Sequence, residues 1–210
     1  MVKNRITIFV EGGGDSSELR GKCRKAFSKF FEKAGLVGKM PRIVACGPRN
    51  AAFDSYCIAV KQGDKAMLLV DSESPVHNIS GSPQVFDPWP HLKIRDGWVE
   101  PKDASSSDCY LMVQVMETWF LADVSALEKY FGKGFNTNSL PKRSNLEEIP
   151  KSDVEDSLNA AAKGTKKKGY EKGRDSFEIL ATIDPYKVMD KSPWADHFVK
   201  LLSLSCFFKS

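Results

Sequence analysis

Acidic side chains follow two short apolar segments of the sequence. Glu11 comes directly after the apolar residues 6–10, and Asp71 and Glu73 come directly after residues 65–70. If both segments are parallel strands of an open α/β sheet, their carboxyl ends border the crevice in which such sheets bind ligands. The three carboxylates can then meet there. Hard oxygen ligands suit Mg²⁺ or Mn²⁺ better than zinc, so the pattern predicts a divalent metal site with a catalytic role for these three residues.

Two further acids are candidate metal ligands. Asp15 ends the glycine-rich turn that follows Glu11, and Glu117 lies at a predicted strand-to-helix junction. Asp71 and Glu73 are two positions apart, so on an extended backbone their side chains project to the same side. An alternative stays open for each acid, because Asp15 can cap the next helix and a glutamate in a first helical turn is favoured by the helix dipole.

Alternating strand and helix patterns supply the elements that would position these acids. Apolar runs predict strands at residues 6–10, 42–46, 65–70 and 109–116. Helical periodicity predicts amphipathic helices at residues 16–34, after a cap at Asn50, and from 117 to about 131. The predicted fold class is therefore α/β, with a Rossmann-like, mainly parallel four-stranded sheet flanked by helices and a C-terminal helical appendage.

The domain organisation predicted from these patterns has two parts. Residues 1–131 form the core and carry a long insert at residues 72–107, which is rich in proline, lacks a long periodic segment and includes Trp89 and Trp98. His91, also in the insert, would overhang the acidic strand ends. Residues 132–210 form a lysine-rich connector followed by helices, at residues 175–183 and 193–204, that pack on the core.

A basic run lies between residues 163 and 174, where six cations accompany one anion. Such a run attracts phosphate backbones through counterion release, and a tyrosine within it can stack on a base. A solvated lysine loop is the alternative interpretation. Arg49, at the second strand-to-helix turn, can bind a phosphate or cap a loop. The candidate nucleic-acid-binding residues are Arg49, Lys166, Lys167, Lys168, Tyr170 and Lys172.

Composition excludes several classes of protein. The 210 residues are 41% hydrophobic with a net charge of +4, and no apolar run approaches the roughly 18 residues that span a bilayer. The first residues turn to glycine and charge too early for a secretory signal. The five cysteines are odd in number and scattered, unlike a disulfide framework or a structural zinc site. We expect a cytoplasmic protein that does not associate with membranes.

Four segments carry a resemblance to a known family: VEGGGDSSEL, LLVDSE, LMVQVMETWFLAD and GYEKGRDSFEIL. In these segments the sequence resembles a bacterial family of uncharacterised domains in the Toprim-like superfamily, and the similarity extends over nearly the whole chain. The resemblance implies a compact α/β module that binds Mg²⁺ through a glutamate after the first strand and an acidic pair after the third, and that acts on phosphodiesters. These positions are Glu11, Asp71 and Glu73, and Asp15 resembles a second acid of the nuclease branch.

The sequence departs from the Toprim pattern at two positions, although both retain a carboxylate. The third strand is followed by Asp-Ser-Glu where Asp-x-Asp is usual, and Asp15 stands where the nuclease branch more often has glutamate. Family members are often encoded beside ATPases of the ABC or OLD type in phage-defence clusters, so the resemblance also implies an ATPase partner.

The function expected from these observations is Mg²⁺-dependent hydrolysis of nucleic-acid phosphodiesters by the effector subunit of a bacterial defence system. Two alternatives stay open. One is a non-catalytic adaptor that senses nucleic acid or nucleotide for an ATPase, with the tryptophans of the insert as its docking surface. The other is a phosphatase or nucleotidyl-transfer enzyme that uses the same acidic crevice on a small substrate.

Overall fold

A four-stranded parallel sheet forms the centre of the protein. The computed structural model describes residues 5–76, 85–105 and 108–207, so parts of the predicted insert, 77–84 and 106–107, lie outside the described residues. The strands are β1 (Thr7–Val10), β2 (Arg42–Ala45), β3 (Ala66–Asp71) and β4 (Cys109–Met112). Their order is β2-β1-β3-β4, and each neighbouring pair is parallel. The predicted α/β fold with a four-stranded sheet is confirmed.

Helices surround this sheet. They are α1 (Ser17–Phe31), α2 (Arg49–Lys61), α3 (Trp89–Asp96), α4 (Val124–Phe131), α5 (Lys151–Ala162), α6 (Ser176–Thr182), α7 (Pro185–Lys191) and α8 (Pro193–Phe207). A π-helical turn at Glu32–Leu36 extends α1, and a 3₁₀ helix at Met116–Ala122 precedes α4. Among the described residues no helix is both long enough and apolar enough to cross a lipid bilayer.

Two local predictions were wrong. Residues 113–116 do not continue β4, which ends at Met112, and Met116 already begins the 3₁₀ helix. Asn50 does not cap α2, because this helix begins at Arg49 and Pro48 is its N-cap residue, with an extended backbone (φ −61°, ψ 149°). Proline fixes φ near this value and lacks the N–H that a helix start leaves without a partner, so Pro48 sets the start of α2 without a side-chain cap.

Each face of the sheet is covered by a different set of helices. Met67 and Leu69 of β3 belong to the apolar cluster that includes α1 and the C-terminal helices. Leu68 and Val70 point to the other face and belong to the cluster of α2 and α3. All six residues of β3 are buried. A parallel strand covered on both faces requires such an uninterrupted apolar run, which is why the strand could be located from the sequence.

The C-terminal helices share the core of the sheet. Phe198 of α8 packs against Phe31 of α1 and Tyr110 of β4, with ring centroids 5.8 and 4.8 Å apart. Lys33 donates hydrogen bonds of 2.9 and 2.6 Å to the carbonyls of Ala181 and Thr182 at the end of α6. Residues beyond 131 therefore pack directly on α1 and the sheet.

The predicted insert contains an α-helix that the sequence did not indicate. α3 ends at Asp96, and the next residue, Gly97, caps it in a left-handed conformation with φ 73°. Trp98 follows it and stacks on Phe53 of α2, with centroids 4.2 Å apart. Trp89 and Trp98 are only 6% and 8% exposed. The expectation that these tryptophans form an exposed docking surface is therefore wrong, because both rings are used to pack the insert on the sheet.

Asp123 connects α4 to the C-terminal helices, and its replacement tests this connection. Its carboxylate accepts hydrogen bonds from Ala126 N at 3.3 Å, Asp184 N at 3.0 Å and Lys187 Nζ at 2.6 Å. Burial opposes ionisation, but the Lys187 ammonium and the other donors lower the pKa of Asp123 below its usual value. We expect Asp123→Asn to lower the free energy of unfolding by about 1–2 kcal/mol at neutral pH.

The effect of Asp123→Asn should depend on pH in a defined direction. A lowered folded-state pKa contributes stability above the pKa of the unfolded chain, and this stability is lost as the pH falls through the folded-state value. Thermal unfolding of both proteins at about pH 7 and about pH 3 measures this, with the difference expected to shrink in acid. A difference that stays constant would show that the charge of Asp123 contributes nothing.

Candidate metal centre

Glu11, Asp71 and Glu73 converge at the carboxyl ends of two neighbouring strands. β1 and β3 are adjacent and parallel, and the backbone N–H of Glu11 donates to Leu69 O at 3.0 Å. One carboxylate oxygen of each acid lies within 4.8 Å of those of the other two. Adjacent ligands of an octahedral Mg²⁺ are about 3 Å apart, so the three carboxylates would move closer together on binding the ion.

Asp71 is the deepest of the three acids. It is 6% exposed, and its Oδ1 accepts a hydrogen bond of 2.8 Å from Met116 N, at the start of the 3₁₀ helix. Burial, with the nearby carboxylates of Glu11 and Glu117, raises the pKa of Asp71 well above its usual value. Acids gathered in this way repel one another when ionised, and a bound cation offsets that repulsion.

Glu11 is held by one backbone donor and one arginine. Its Oε2 accepts hydrogen bonds from Asp71 N at 3.1 Å and from Arg49 Nη1 at 3.2 Å. Arg49 Nη1 also donates to the carbonyl oxygen of Asp71 at 2.8 Å. Burial raises the pKa of Glu11 although Arg49 opposes the shift. The carboxylate is therefore oriented toward Asp71 by the same groups that fix the end of β3.

The backbone conformation that brings Glu73 to the cluster differs from the predicted one. Its φ is +66°, so the backbone lacks the extended conformation that was expected there, although the carboxylate still meets that of Asp71. The Glu73 N–H donates to Gln114 O at 2.7 Å, and its carboxylate pairs with Lys151 Nζ of α5 at 2.6 Å. Burial opposes ionisation, but Lys151 lowers the pKa of Glu73. These two contacts hold the turn in place.

Glu117 provides an independent sign that the crevice accepts a cation. It is fully buried, lines the crevice with the other acids, and its Oε1 accepts a hydrogen bond of 2.7 Å from Tyr170. Its Oε2 is buried and has no hydrogen-bond partner among the described residues; Lys172 Nζ lies 3.7 Å away. A buried carboxylate oxygen without a donor is costly, and a divalent cation is a suitable partner for it. The residues present therefore fit a bound metal ion.

The crevice is a cavity of about 300 Å³. The glycine loop at residues 12–14 lines one part of it, and residues 172, 173, 176 and 177 of the C-terminal part line another. The loops after β1 and β2 are joined by two hydrogen bonds between Gly12 and Gly47, of 2.9 and 3.0 Å. A Cβ on Gly47 would lie 2.5 Å from Gly14 O, so only glycine permits this close approach.

The structure does not bring Asp15 to the acidic cluster. Asp15 is exposed before α1 and is neither in the group of converging carboxylates nor among the residues that line the crevice. Its neighbour Ser16 caps α1, with Oγ accepting from Leu19 N at 3.1 Å. Of the two additional predicted metal ligands, the structure thus brings Glu117 to the crevice and leaves Asp15 outside it.

The predicted nucleic-acid-binding residues separate into two groups. Lys166 and Lys168 are exposed. Lys167 Nζ lies 3.6 Å from Asp175 and 4.3 Å above the ring of Tyr130, so it is engaged within the protein. Tyr170 and Lys172 both contact Glu117, and Tyr170 packs on the core.

Arg49 and Lys172 both have acidic partners within the protein, although the Lys172 side chain is 54% exposed. Arg49 contacts Glu11 and Asp96, and its side chain is 14% exposed. Lys172 Nζ lies 3.7 Å from Glu117 and 3.8 Å from Glu155. Burial opposes the charge of Lys172, but the carboxylates of Glu117 and Asp71 raise its pKa. Both cations therefore offset part of the negative charge of the crevice.

Sequence reasoning missed two residues that contact the acids or their partners. Lys151 pairs with Glu73, and Asp96 pairs with Arg49, whose Nη2 donates to Asp96 Oδ2 at 2.8 Å. Each pair joins residues more than 40 positions apart, in elements with no shared pattern. No spacing in the sequence indicates such pairs.

Comparison with known proteins gives one family match. A family model described as Domain of unknown function (DUF4276) matches residues 10–203. The searches of curated proteins and of solved structures gave no match. The matched segment includes the four acids of the crevice and the C-terminal residues that line it.

Proposed function

We propose that this chain, which belongs to the DUF4276 family, hydrolyses phosphodiester bonds of nucleic acid with the help of Mg²⁺ or Mn²⁺. The observation that carries the proposal is the convergence of Glu11, Asp71 and Glu73 within 4.8 Å, beside the buried Oε2 of Glu117, which accepts no hydrogen bond from the described residues. A site with four carboxylates and no histidine among these ligands favours a hard cation. Such cations serve phosphoryl chemistry widely.

Each acid has a role in this proposal. Asp71, Glu73 and Glu117 would hold the ion, and Glu11 would be a ligand or the general base that accepts the proton of the attacking water. The convergence of Glu11 with Asp71 and Glu73 supports the first role, and its raised pKa supports the second, because a base works best when its pKa is near the working pH. A bound ion would polarise the phosphate and lower the pKa of the attacking water.

The substrate backbone would be held by the exposed cations of the basic run. Lys166 and Lys168 face solvent, and contacts of lysine to phosphates hold a strand without reading its sequence. Following the resemblance to Toprim-like proteins, the proposal also includes an ATPase partner and a role in phage defence.

We expect the double variant Lys166→Ala/Lys168→Ala to bind nucleic acid more weakly for every sequence. The slope of log K against log salt should fall in magnitude by about 0.7–0.9 for each phosphate contact that is lost. Fluorescence anisotropy with a labelled oligonucleotide, at several salt concentrations and with Ca²⁺ in place of Mg²⁺, measures the slope. The matched control is Lys61→Ala/Lys65→Ala, which removes exposed lysines just before β3, at the amino end of this strand and away from the carboxyl ends that border the crevice. Equal slopes in both double variants would exclude the basic run as the binding surface.

The proposed function is tested with single-stranded DNA, duplex DNA and RNA substrates in Mg²⁺, Mn²⁺ or chelator. Cleavage should require the ion and should be absent in Asp71→Asn. Calorimetric titration with Mn²⁺ runs in parallel. Binding of the ion without cleavage, with and without an added ATPase partner, would contradict hydrolysis and favour the adaptor alternative. Absence of both binding and cleavage would end the metal-centre proposal.

A second candidate function is hydrolysis of a small phosphate ester at the same acids. The crevice volume of about 300 Å³ favours it, because this is the low end of the range for small-molecule sites. Turnover of p-nitrophenyl phosphate with no cleavage of bis(p-nitrophenyl) phosphate or oligonucleotides would identify a phosphomonoesterase. Turnover of the diester substrates would favour the first proposal.

A further inference from the structure

The helix of the insert, α3, contacts the acidic centre at two points. Asp96, its last residue, accepts a hydrogen bond of 2.8 Å from Arg49 Nη2, and His91 Nε2 lies 2.8 Å from the carbonyl oxygen of Ser72, between Asp71 and Glu73. We propose that Asp96 is a positioning residue of the metal centre, which fixes the carboxylate of Glu11 through Arg49. This inference rests on the metal centre of the proposed function.

Arg49 links Glu11 to Asp96 in a fixed geometry. Nη1 donates to Glu11 Oε2 at 3.2 Å and to Asp71 O at 2.8 Å, while Nη2 donates to Asp96. The guanidinium lies 5.0 Å from the centroid of the Trp98 ring. That ring is in turn stacked on Phe53 with an interplanar angle of 5°. The planar fork of an arginine is thus held at both terminal nitrogens and on one face, an arrangement that lysine cannot reproduce.

The location of Asp96 requires a compensating partner. It is the final residue of α3, where the helix dipole favours cations over anions, and its side chain is only 10% exposed. Arg49 and Arg95 supply the compensation, one to each carboxylate oxygen. Because the dipole opposes a carboxylate at this position, the pairing with Arg49 gives a specific reason for its presence.

Asp96 also controls how strongly Arg49 competes for Glu11. With Nη2 engaged by Asp96, only Nη1 contacts the Glu11 carboxylate, and one of its oxygens accepts both of its described hydrogen bonds. The other oxygen is left for a cation. Without Asp96, Arg49 is free to form a bidentate pair with Glu11, and this pair would occupy both carboxylate oxygens of Glu11. The carboxylate of Asp96 thus keeps Glu11 monodentate toward Arg49 and available to the ion.

A double-mutant cycle separates positioning from simple charge. We expect Asp96→Asn to weaken Mn²⁺ binding about 3- to 10-fold and Arg49→Gln about 10- to 100-fold, the range for partners of metal ligands. If Asp96 acts through Arg49, Asp96→Asn should have no further effect in the Arg49→Gln background. If instead both residues act only as charges, Arg49→Gln should tighten binding, and Asp96→Asn should weaken it in either background.

The measurements are calorimetric titration with Mn²⁺ and the electron paramagnetic resonance spectrum of the bound ion, which should change in Asp96→Asn. Thermal unfolding establishes that each variant is folded at the titration temperature. Asp123→Asn is the matched control, since it replaces another mostly buried, cation-paired aspartate whose described partners lie outside the crevice. It should lower stability and leave Mn²⁺ binding and the spectrum unchanged.

The possible results distinguish this inference from the proposed function. Unchanged Mn²⁺ binding in Asp96→Asn, or an effect that persists in the Arg49→Gln background, would overturn the positioning role while wild-type hydrolysis stands. Suppose that Asp96→Asn weakens Mn²⁺ binding in the wild type but not in the Arg49→Gln background, and that the wild type cleaves no substrate. That combination would support the positioning role and reject hydrolysis. A wild-type protein that binds no Mn²⁺ would overturn both.

Discussion

Asp71→Asn is expected to abolish metal-dependent cleavage and to make the metal-free protein more stable. The side chain is buried, and its Oδ1 accepts from Met116 N, a bond that the amide oxygen of asparagine can retain. The fold should therefore survive. Loss of an outer partner already weakens metal binding about 10- to 100-fold, so loss of a direct carboxylate ligand should exceed about 100-fold.

The gain in stability follows from the raised pKa of Asp71. Burial and the carboxylates of Glu11 and Glu117 raise this pKa in the folded protein. The corresponding stability is complete below the pKa of the unfolded chain and is lost as the pH rises through the folded-state pKa. Asparagine does not ionise, so Asp71→Asn keeps this stability at neutral pH, where the wild type has lost part of it. Added Mn²⁺ should reverse the order by stabilising only the wild type.

Thermal unfolding of both proteins, with chelator and with Mn²⁺, tests these statements together. The wild type should show the larger rise in Tm on adding Mn²⁺, and Asp71→Asn the higher Tm in chelator. Asp123→Asn serves as the control, with a lower Tm in both conditions and an unchanged response to the ion. A Mn²⁺-induced rise in Tm that is equal in wild type and Asp71→Asn would place the ion elsewhere.

Glu11→Gln is expected to lower the rate of cleavage about 10²- to 10⁴-fold if Glu11 is the general base. Its Oε2 accepts from Asp71 N and Arg49 Nη1, and the glutamine oxygen can accept from both. The folded structure should therefore be unchanged. Glu11→Ala removes this acceptor and should lower stability as well, which separates chemistry from packing.

The pH profile distinguishes the two roles of Glu11. The raised pKa of Glu11 predicts that the wild-type rate increases as the pH rises through it, because only the ionised form accepts a proton. If Glu11 acts only as the base, Glu11→Gln should lack this acidic limb and bind Mn²⁺ nearly normally, and Asp96 would then have no metal ligand to position. An equal loss of Mn²⁺ affinity and rate would make Glu11 a ligand instead. Full activity in Glu11→Gln would exclude both roles.

The sheet and the four acids of the crevice could be predicted because their signals are local. β3 is buried on both faces and is a continuous apolar run, β1 is a short run of apolar and β-branched residues, and an acid lies at the end of each. Parallel strands bring such ends to one edge, which places Glu11 beside Asp71. Glu117 was predicted to lie near the other acids because it follows an apolar strand at a strand-to-helix junction. A 3₁₀ helix follows β4 there in place of the expected α-helix.

The remaining features depend on contacts between distant parts of the chain. α3 has eight residues, among them Pro90, and only Trp89 and Leu92 are buried, too few positions to establish a helical period. Glu73 leaves the extended conformation because Gln114 and Lys151 hold its turn. The contacts of Arg49 with Glu11 and Asp96 span 38 and 47 positions. No local pattern encodes these pairs, and they are visible only after folding.

Because residues 172–177 include part of the crevice lining, the chain cannot be shortened far from its C-terminal end without damage to the site. A truncated product ending at Phe131 would keep all four strands but lose residues 172–177, and with them part of the chamber around the acids. It would also leave apolar side chains of α1 and β4 uncovered, since Phe31 and Tyr110 pack on α8. Such a fragment is prone to aggregation. The smallest unit worth expressing is therefore nearly the whole polypeptide.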